Sequence, residues 1–231
     1  QPDGAPGAEP MKVGVAVVDL FTGLYASNAI MAALLHARAT GQGQSIDIAL
    51  FDVQAAMLAN QATNWFVSGK APTRMGNAHP NLAPYQPFPC TDGMVVIAVG
   101  NDGQFRSLAG ALGAPGLGAD PRFLTNARRI EHRAAMTAEI SALTAGLTMH
   151  GLMTALEAAG VPCGPVNTID QVFDEPQAKY RGLEVTQDRA DLSGPVRTVA
   201  SPIRMSVTPV AYDRPPPALG ADTDEVLGGL A

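Results

Sequence analysis

The strongest constraint on the fold is an alternation of patterns between residues 13 and 67. Val13-Gly14-Val15-Ala16-Val17-Val18 is a short β-branched run, read as a buried strand or an extended segment. Asp19 ends it. Residues 21–40 then place apolar side chains at helical spacing, with Leu24, Ile30, Met31, Leu34 and Leu35 among them. Gly41-Gln42-Gly43-Gln44 stops that pattern, since glycine takes the left-handed cap without penalty. Residues 45–50 alternate polar and apolar, as a strand does, and 51–67 return to helix with Phe51, Ala55, Leu58, Ala62 and Trp65 on one side. Strand, helix, strand, helix is the order of an α/β layer.

Further along, residues 69–85 form a loop rich in Pro and Asn. Strands are expected at 86–89 and 94–99, joined through the turn residues Thr91-Asp92-Gly93. Helices follow at 102–112, 131–146 and 148–159, the last capped by Thr148 and stopped by Gly160. Residues 161–166 are a proline-stiffened extended segment, and 168–173 a short helix. Short strands are expected around Val185, at 196–199 and at 203–207. A Pro-rich linker at 213–217 precedes a helix over 223–230, capped by Thr223 or Asp222. No internal repeat is present.

The composition, 46% hydrophobic and 16% charged, belongs to a globular chain with room for one sizeable core or two small ones. The net charge of −6 leaves no basic stripe to neutralise phosphates, so no nucleic-acid partner is expected. No uninterrupted apolar run is long enough to cross a bilayer, and no charged leader precedes an apolar segment. With two cysteines and no disulfide framework, a cytoplasmic setting is the expectation. The chain opens at Gln1 in a Pro/Gly stretch that reads as a flexible lead-in over 1–10, as though from the middle of a larger protein.

Few residues are candidates for chemistry. Asp19 sits where strand meets helix. There a carboxylate serves as a cap for backbone N–H groups, or as a nucleophile or base at the strand end, where α/β folds bind ligands. The histidines His36, His79, His132 and His150 are scattered, and the cysteines form no CxxC, so no metal site is expected. His79 lies in a long loop with Asn77, Asn81, Tyr85 and Gln86, which reads either as a binding loop or as a crossover between domains. Gly110, Gly113, Gly116 and Gly118 follow a helix and fail the strand–turn–helix context of a dinucleotide fingerprint. Cys163, between prolines, reads as a small buried residue rather than a catalytic thiol.

Taken in order, VGVAVVDLFTGLYA (13–26), Gly41-Gln42-Gly43-Gln44 before residues 47–52 (DIALFD), Gly76-Asn77, Tyr85-Gln86-Pro87-Phe88, Thr91-Asp92-Gly93, GVPCGPV (160–166) and LGADTDEVL (219–227) resemble the class III CoA-transferase family, of the CaiB/BaiF type. That family includes formyl-CoA, carnitine and dicarboxylate CoA-transferases and α-methylacyl-CoA racemases. The resemblance covers nearly the whole chain and places it as the carboxyl-terminal part of a longer protein. It implies an α/β fold: part of a Rossmann-like large domain over 1–71, a smaller α+β domain over 72–168, and a return to the large domain over 169–231. It also implies an interlocked homodimer, and an upstream half holding most contacts to coenzyme A.

By the same resemblance Asp19 matches the catalytic aspartate. In the transferases it attacks an acyl-CoA thioester and passes through a β-aspartyl-CoA thioester before an acceptor acid takes the CoA. In the racemases it is an acid/base paired with an upstream His. Val18-Asp19-Leu20-Phe21-Thr22-Gly23 lacks the glycine run that follows the racemase aspartate and resembles the transferases. The 77–86 loop aligns with the substrate loop of formyl-CoA transferases but has no glycine run. Pro80 and Pro84 stiffen it instead, which fits longer acids such as dicarboxylates. His79, Asn81 and Gln86 are then candidates to orient a substrate carboxylate. Acyl-CoA and a small carboxylic acid are the implied substrates. The alternatives are a racemase or epimerase of the same family, or an inactive fragment lacking the upstream half.

Overall fold

The structure is a computed structural model that describes residues 11–189 and 191–229. The expected lead-in at 1–10 and the end of the last helix at 230 lie outside the described residues. The fold mixes helices and sheets in two compact units, the first ending at Gly164 and the second starting at Pro165.

The first unit opens with α1 (Val17–Thr40). The expected strand at 13–18 does not form. Val17 N–H turns back to Val15 O at 2.8 Å, and the helix starts two residues before Asp19. Gly41 ends it at φ +76°, its N–H donating to Ala37 O at 2.8 Å, a left-handed stop that only glycine takes freely. The strand expected at 45–50 is absent because no partner among the described residues takes up its backbone bonds. The helix expected over 51–67 is broken into α2 (Leu50–Ala56) and α3 (Ala59–Ser68). The break is at Ala59, whose φ of +44° cannot continue a right-handed helix.

No residue of α1 is buried, and Leu20, Leu24, Ile30, Met31, Leu34 and Leu35 are each at least half exposed. With a mean hydropathy of 1.4, α1 is long and apolar enough to cross a membrane by length and composition. The sequence shows no uninterrupted apolar run of that length. The helix reaches it because Asp19, Asn28, His36 and Arg38 are spread thinly among apolar positions. The same composition suits a helix buried in the core of a soluble protein.

The core lies further on. Strands β1 (Tyr85–Cys90) and β2 (Gly93–Ala98) form the expected antiparallel hairpin, with Cys90 opposite Gly93 across the turn. The turn is tied to a later helix: Thr91 N–H donates to Leu147 O at 2.9 Å, and Met149 N–H donates to Asp92 Oδ1 at 2.8 Å. Next come α4 (Asp102–Ala111), α5 (Pro115–Ala119), α6 (Asn126–Glu131), α7 (Arg133–Thr144) and α8 (Met149–Ala158). Strand β3 (Cys163–Pro165) then joins β2 as the third strand. Phe88, Val95 and Ile97 from the sheet pack with Phe105, Leu108, Phe123, Met136, Ile140, Leu152 and Leu156 in one fully buried cluster.

Thr148 caps α8 as expected, its Oγ1 accepting from Gly151 N–H at 3.1 Å. Thr148→Ala is expected to cost about 1 kcal/mol in a urea unfolding titration. The single helix expected at 131–146 instead begins at Asn126 and is jointed at His132, where ψ of +26° leaves the helical range.

The second unit holds α9 (Ile169–Asp174), α10 (Pro176–Tyr180), β4 (Glu184–Gln187), β5 (Val196–Val199) and α11 (Thr223–Gly228). A Thr168/Gln171 capping box starts α9, as its sequence pattern requires. Strands β4 and β5 pair antiparallel. Residues 203–207, expected as a strand, pair with nothing among the described residues and remain irregular.

Candidate active site

Asp19 is the third residue of α1, one turn inside the position expected for it. The N-cap is Ala16, which has no side-chain cap, so the reading of Asp19 as an N-cap is corrected. Its side chain is exposed and lies in the first turn, where unpaired N–H groups and the helix dipole favour negative charge. Thr22 Oγ1 donates to Val18 O at 2.7 Å alongside it. A carboxylate so placed is accessible to an electrophile, which a nucleophile requires.

The 77–86 loop is built quite differently. Proline at 80 and 84 fixes two backbone dihedrals, and the Ala83–Pro84 bond is cis. His79 Nδ1 accepts the N–H groups of Asn81 and Leu82, each at 3.1 Å. Its ring stacks on Tyr85 at 5.2 Å between centroids and 12° between planes. The Asn81 amide pairs with that of Asn64 on α3, at 3.1 and 3.3 Å. Gln86 is the second residue of β1, half-buried and opposite Ile97.

Behind the loop lies a cluster that the sequence reading did not single out. Asn126 Nδ2 donates to Asn81 O at 2.8 Å, and its Oδ1 accepts from Ala83 N–H at 3.1 Å. Arg129 is fully buried. It donates to Ala83 O at 2.6 Å, Phe123 O at 2.9 Å and Asp102 Oδ1 at 2.8 Å, and its guanidinium lies 4.7 Å from the Phe105 ring centre. Arg133 reaches Pro80 O and Leu82 O at 3.3 and 3.4 Å, and burial pulls its pKa below the usual range for arginine. The sequence signal is no more than the i, i+3 spacing of Asn126 and Arg129, in a charged stretch that by itself reads as a solvated face. The structure thus gathers His79 and Asn81 with Asn64, Asn126, Arg129 and Arg133. These bonds run to α3, α6 and α7, and none reaches Asp19.

Neither thiol is poised for nucleophilic work. Burial, reinforced by Asp92 for Cys90 and by Glu157 for Cys163, pushes both above the usual thiol range. A raised pKa means less thiolate at any given pH. Alkylation of either cysteine is therefore expected to follow a pH profile displaced upward from that of a free thiol. The displacement should vanish in urea. Among the described residues no three His, Cys, Asp or Glu side chains gather as a metal site.

The second unit has an open cavity of about 880 Å³ lined by Ile169, Phe173, Lys179, Glu184 and Arg197, among others. Its cations are already paired, Lys179 with Asp174 at 3.0 Å and Arg197 with Glu184, so no unpaired positive charge converges there for a phosphate.

Comparison with known proteins places this geometry in context. The model of CoA-transferase family III matches residues 1–223. A succinate–glutarate CoA-transferase from Agrobacterium fabrum is 47% identical over 227 residues, covering 98% of this chain and 56% of that relative. The human succinyl-CoA:glutarate CoA-transferase is 34% identical, covering 97% of this chain and 51% of the relative. The crystal structure of a CaiB/BaiF family protein from Brucella suis superposes with a TM-score of 0.79 at 45% identity, covering 98% of this chain and 58% of that one. The chain thus spans about half the length of the curated relatives it matches. With its helix-and-sheet fold and a family match along nearly its whole length, the chain belongs to CoA-transferase family III.

Proposed function

We propose that this sequence supplies the nucleophile and the acid-binding loop of an acyl-CoA:carboxylate CoA-transferase acting on dicarboxylates, with Asp19 as the covalent centre. The observation that carries the proposal is the exposed carboxylate of Asp19 in the first turn of α1, in a chain whose relatives are named for CoA transfer to glutarate. The stiffened loop, with prolines where a glycine run would allow movement, supports an acid longer than formate or oxalate.

The reaction balances through carboxylate chemistry alone. Asp19 attacks the thioester carbonyl of the donor acyl-CoA, and CoA thiolate leaves a mixed anhydride. The thiolate then attacks the Asp19 carbonyl, forming β-aspartyl-CoA and releasing the donor acid as its carboxylate. The acceptor carboxylate attacks β-aspartyl-CoA, and thiolate leaves again. Thiolate finally attacks the acceptor's carbonyl, giving the new acyl-CoA and restoring Asp19. Each step keeps the thioester energy within the enzyme, so hydrolysis is avoided.

The sequence is the carboxyl-terminal part of the whole protein. Residues 1–71 and 169–231 belong to a large α/β domain, and 72–168 form the smaller one. The apolar faces of α1 and the unpaired 45–49 segment are then completed by the upstream part and by a second, interlocked copy, which also bring most contacts to coenzyme A. Two free cysteines fit a reducing cytoplasm.

The test is conversion of glutarate to glutaryl-CoA with succinyl-CoA as donor. It is run with the chain alone and with the chain joined to the upstream segment its relatives carry. Formation of glutaryl-CoA supports the proposal. Exchange of α-carbon hydrogens with solvent and no CoA transfer would point to racemase chemistry. Absence of both reactions in the joined protein would overturn the proposal.

A further inference from the structure

We propose that a second cavity in the second unit, lined by Arg181 and Arg204, binds a small organic phosphate. The two guanidinium groups take the phosphate, and Tyr180 and Tyr212 cover an apolar body. None of the residues placed in the transfer reaction lines this cavity.

Two local devices build its walls. Helix α10 stops at Gly182, whose φ is +53°. Gly182 N–H donates to Lys179 O at 3.0 Å and Leu183 N–H to Ala178 O at 3.1 Å, a glycine stop that fixes the backbone around Arg181. The other wall comes from residues 200–212, which contain the expected but unpaired strand at 203–207. Ala200 N–H donates to Leu183 O at 2.8 Å, and Gln187 Nε2 donates to Tyr212 O at 2.8 Å. Ser201 N–H donates to the Tyr212 hydroxyl at 2.6 Å, which joins one end of the segment to the other. Proline at 202 and 209 removes two N–H groups from any strand pairing. The result is a loop closed at its base, with Arg204 carried inside the closure.

Charge sorts the residues around it. The second unit has ten acidic and six basic side chains, so pairing is available to every base. Lys179 pairs with Asp174, Arg189 with Asp191, Arg197 with Glu184 and Arg214 with Glu225. Arg181 and Arg204 make no ion pair or side-chain hydrogen bond among the described residues, yet both line one cavity of about 470 Å³. No carboxylate among the described residues lines it. The larger cavity is the opposite case: Asp170, Asp174 and Glu184 line it beside Lys179 and Arg197. A cleft walled by charge of one sign concentrates counter-ions, and the planar guanidinium fork matches a phosphate. Tyr180, Ile203, Met205, Val210 and Tyr212 line the same cavity, and each is more than a third exposed. A bare ion would leave that apolar surface wet, whereas an organic body removes it from water. The volume lies in the range of small-molecule sites.

The test is calorimetric titration with phenyl phosphate of the protein with its upstream segment joined, CoA being present at saturation. A single phenyl phosphate is expected to bind per chain. Arg181→Gln and Arg204→Gln should each weaken it roughly tenfold, the scale of one charge-assisted hydrogen bond, and the double variant should show no binding. Both arginines are exposed and unpaired, so the unfolding midpoints should stay in place. Arg181→Lys, which keeps the charge and loses the fork, should retain part of the affinity. Arg214→Gln, outside the lining, should bind as the unsubstituted protein does. Benzyl alcohol, without the charge, should not bind, and inorganic phosphate, without the apolar body, should bind more weakly. Failure of phenyl phosphate to bind overturns the proposal, as it would where the upstream segment or a second copy fills the cavity. Undiminished binding by the double variant, or benzoate binding as tightly as phenyl phosphate, overturns it as well.

Discussion

Asp19→Asn is expected to lower CoA transfer by at least about a thousandfold, the order seen when a covalent nucleophile is removed. The substitution keeps the volume and a polar group in the first turn of α1, and it removes only the charge and the attacking oxygen. Its site is exposed and makes no cap, so little structure depends on it. The unfolding midpoint should therefore barely move, the remaining effect being loss of a charge favoured by the helix dipole. Asp19→Glu keeps the carboxylate but moves it by one methylene. Because covalent catalysis depends on placement within a fraction of an ångström, that variant should also lose most activity. A variant of Asp19 that retains wild-type turnover would remove it from the chemistry.

Arg129→Met is the second large effect, and it concerns stability. Removing the guanidinium leaves Ala83 O and Phe123 O as buried acceptors without partners and takes the cation away from Asp102. Truncating one side of a buried charged network costs about 3–5 kcal/mol. Asp102 is 43% exposed, so water takes up part of its loss, and the lower end, about 3 kcal/mol, is expected. Arg122 provides the control. It is bonded to Asp120 and Glu139, but at the surface, and Arg122→Met should shift the urea midpoint only slightly. Equal shifts in the two variants would show that burial does not decide the matter here.

The legible parts of the fold were those governed by neighbours in sequence. Thr148 as a cap, the Thr91-Asp92-Gly93 hairpin and the 168–173 helix each follow from a few adjacent residues, and each is present. The β-branched run at 13–18, read as a strand or an extended segment, and the alternating run at 45–50, read as a strand, have no partner among the described residues. Such a pattern makes a strand only where another backbone answers it. The break at Ala59 has no glycine or proline to announce it. At the candidate site, Asp19 was legible because a β-branched run ends there, although the helix begins earlier than that pattern suggests. Arg129 was not. Asn126, Arg129 and Arg133 fall in a string of charged residues that reads as a solvated face. Only the return of the loop, more than forty residues away in sequence, turns that face inward.

The proposed transfer requires a covalent CoA thioester on Asp19. The direct measurement is peptide mass spectrometry of the protein, with the upstream segment joined, after incubation with succinyl-CoA and quenching with hydroxylamine. A hydroxamate is expected on the peptide containing Asp19, absent in Asp19→Asn and absent without succinyl-CoA. An unmodified Asp19 in protein that binds succinyl-CoA, or a hydroxamate on another carboxylate, would contradict it.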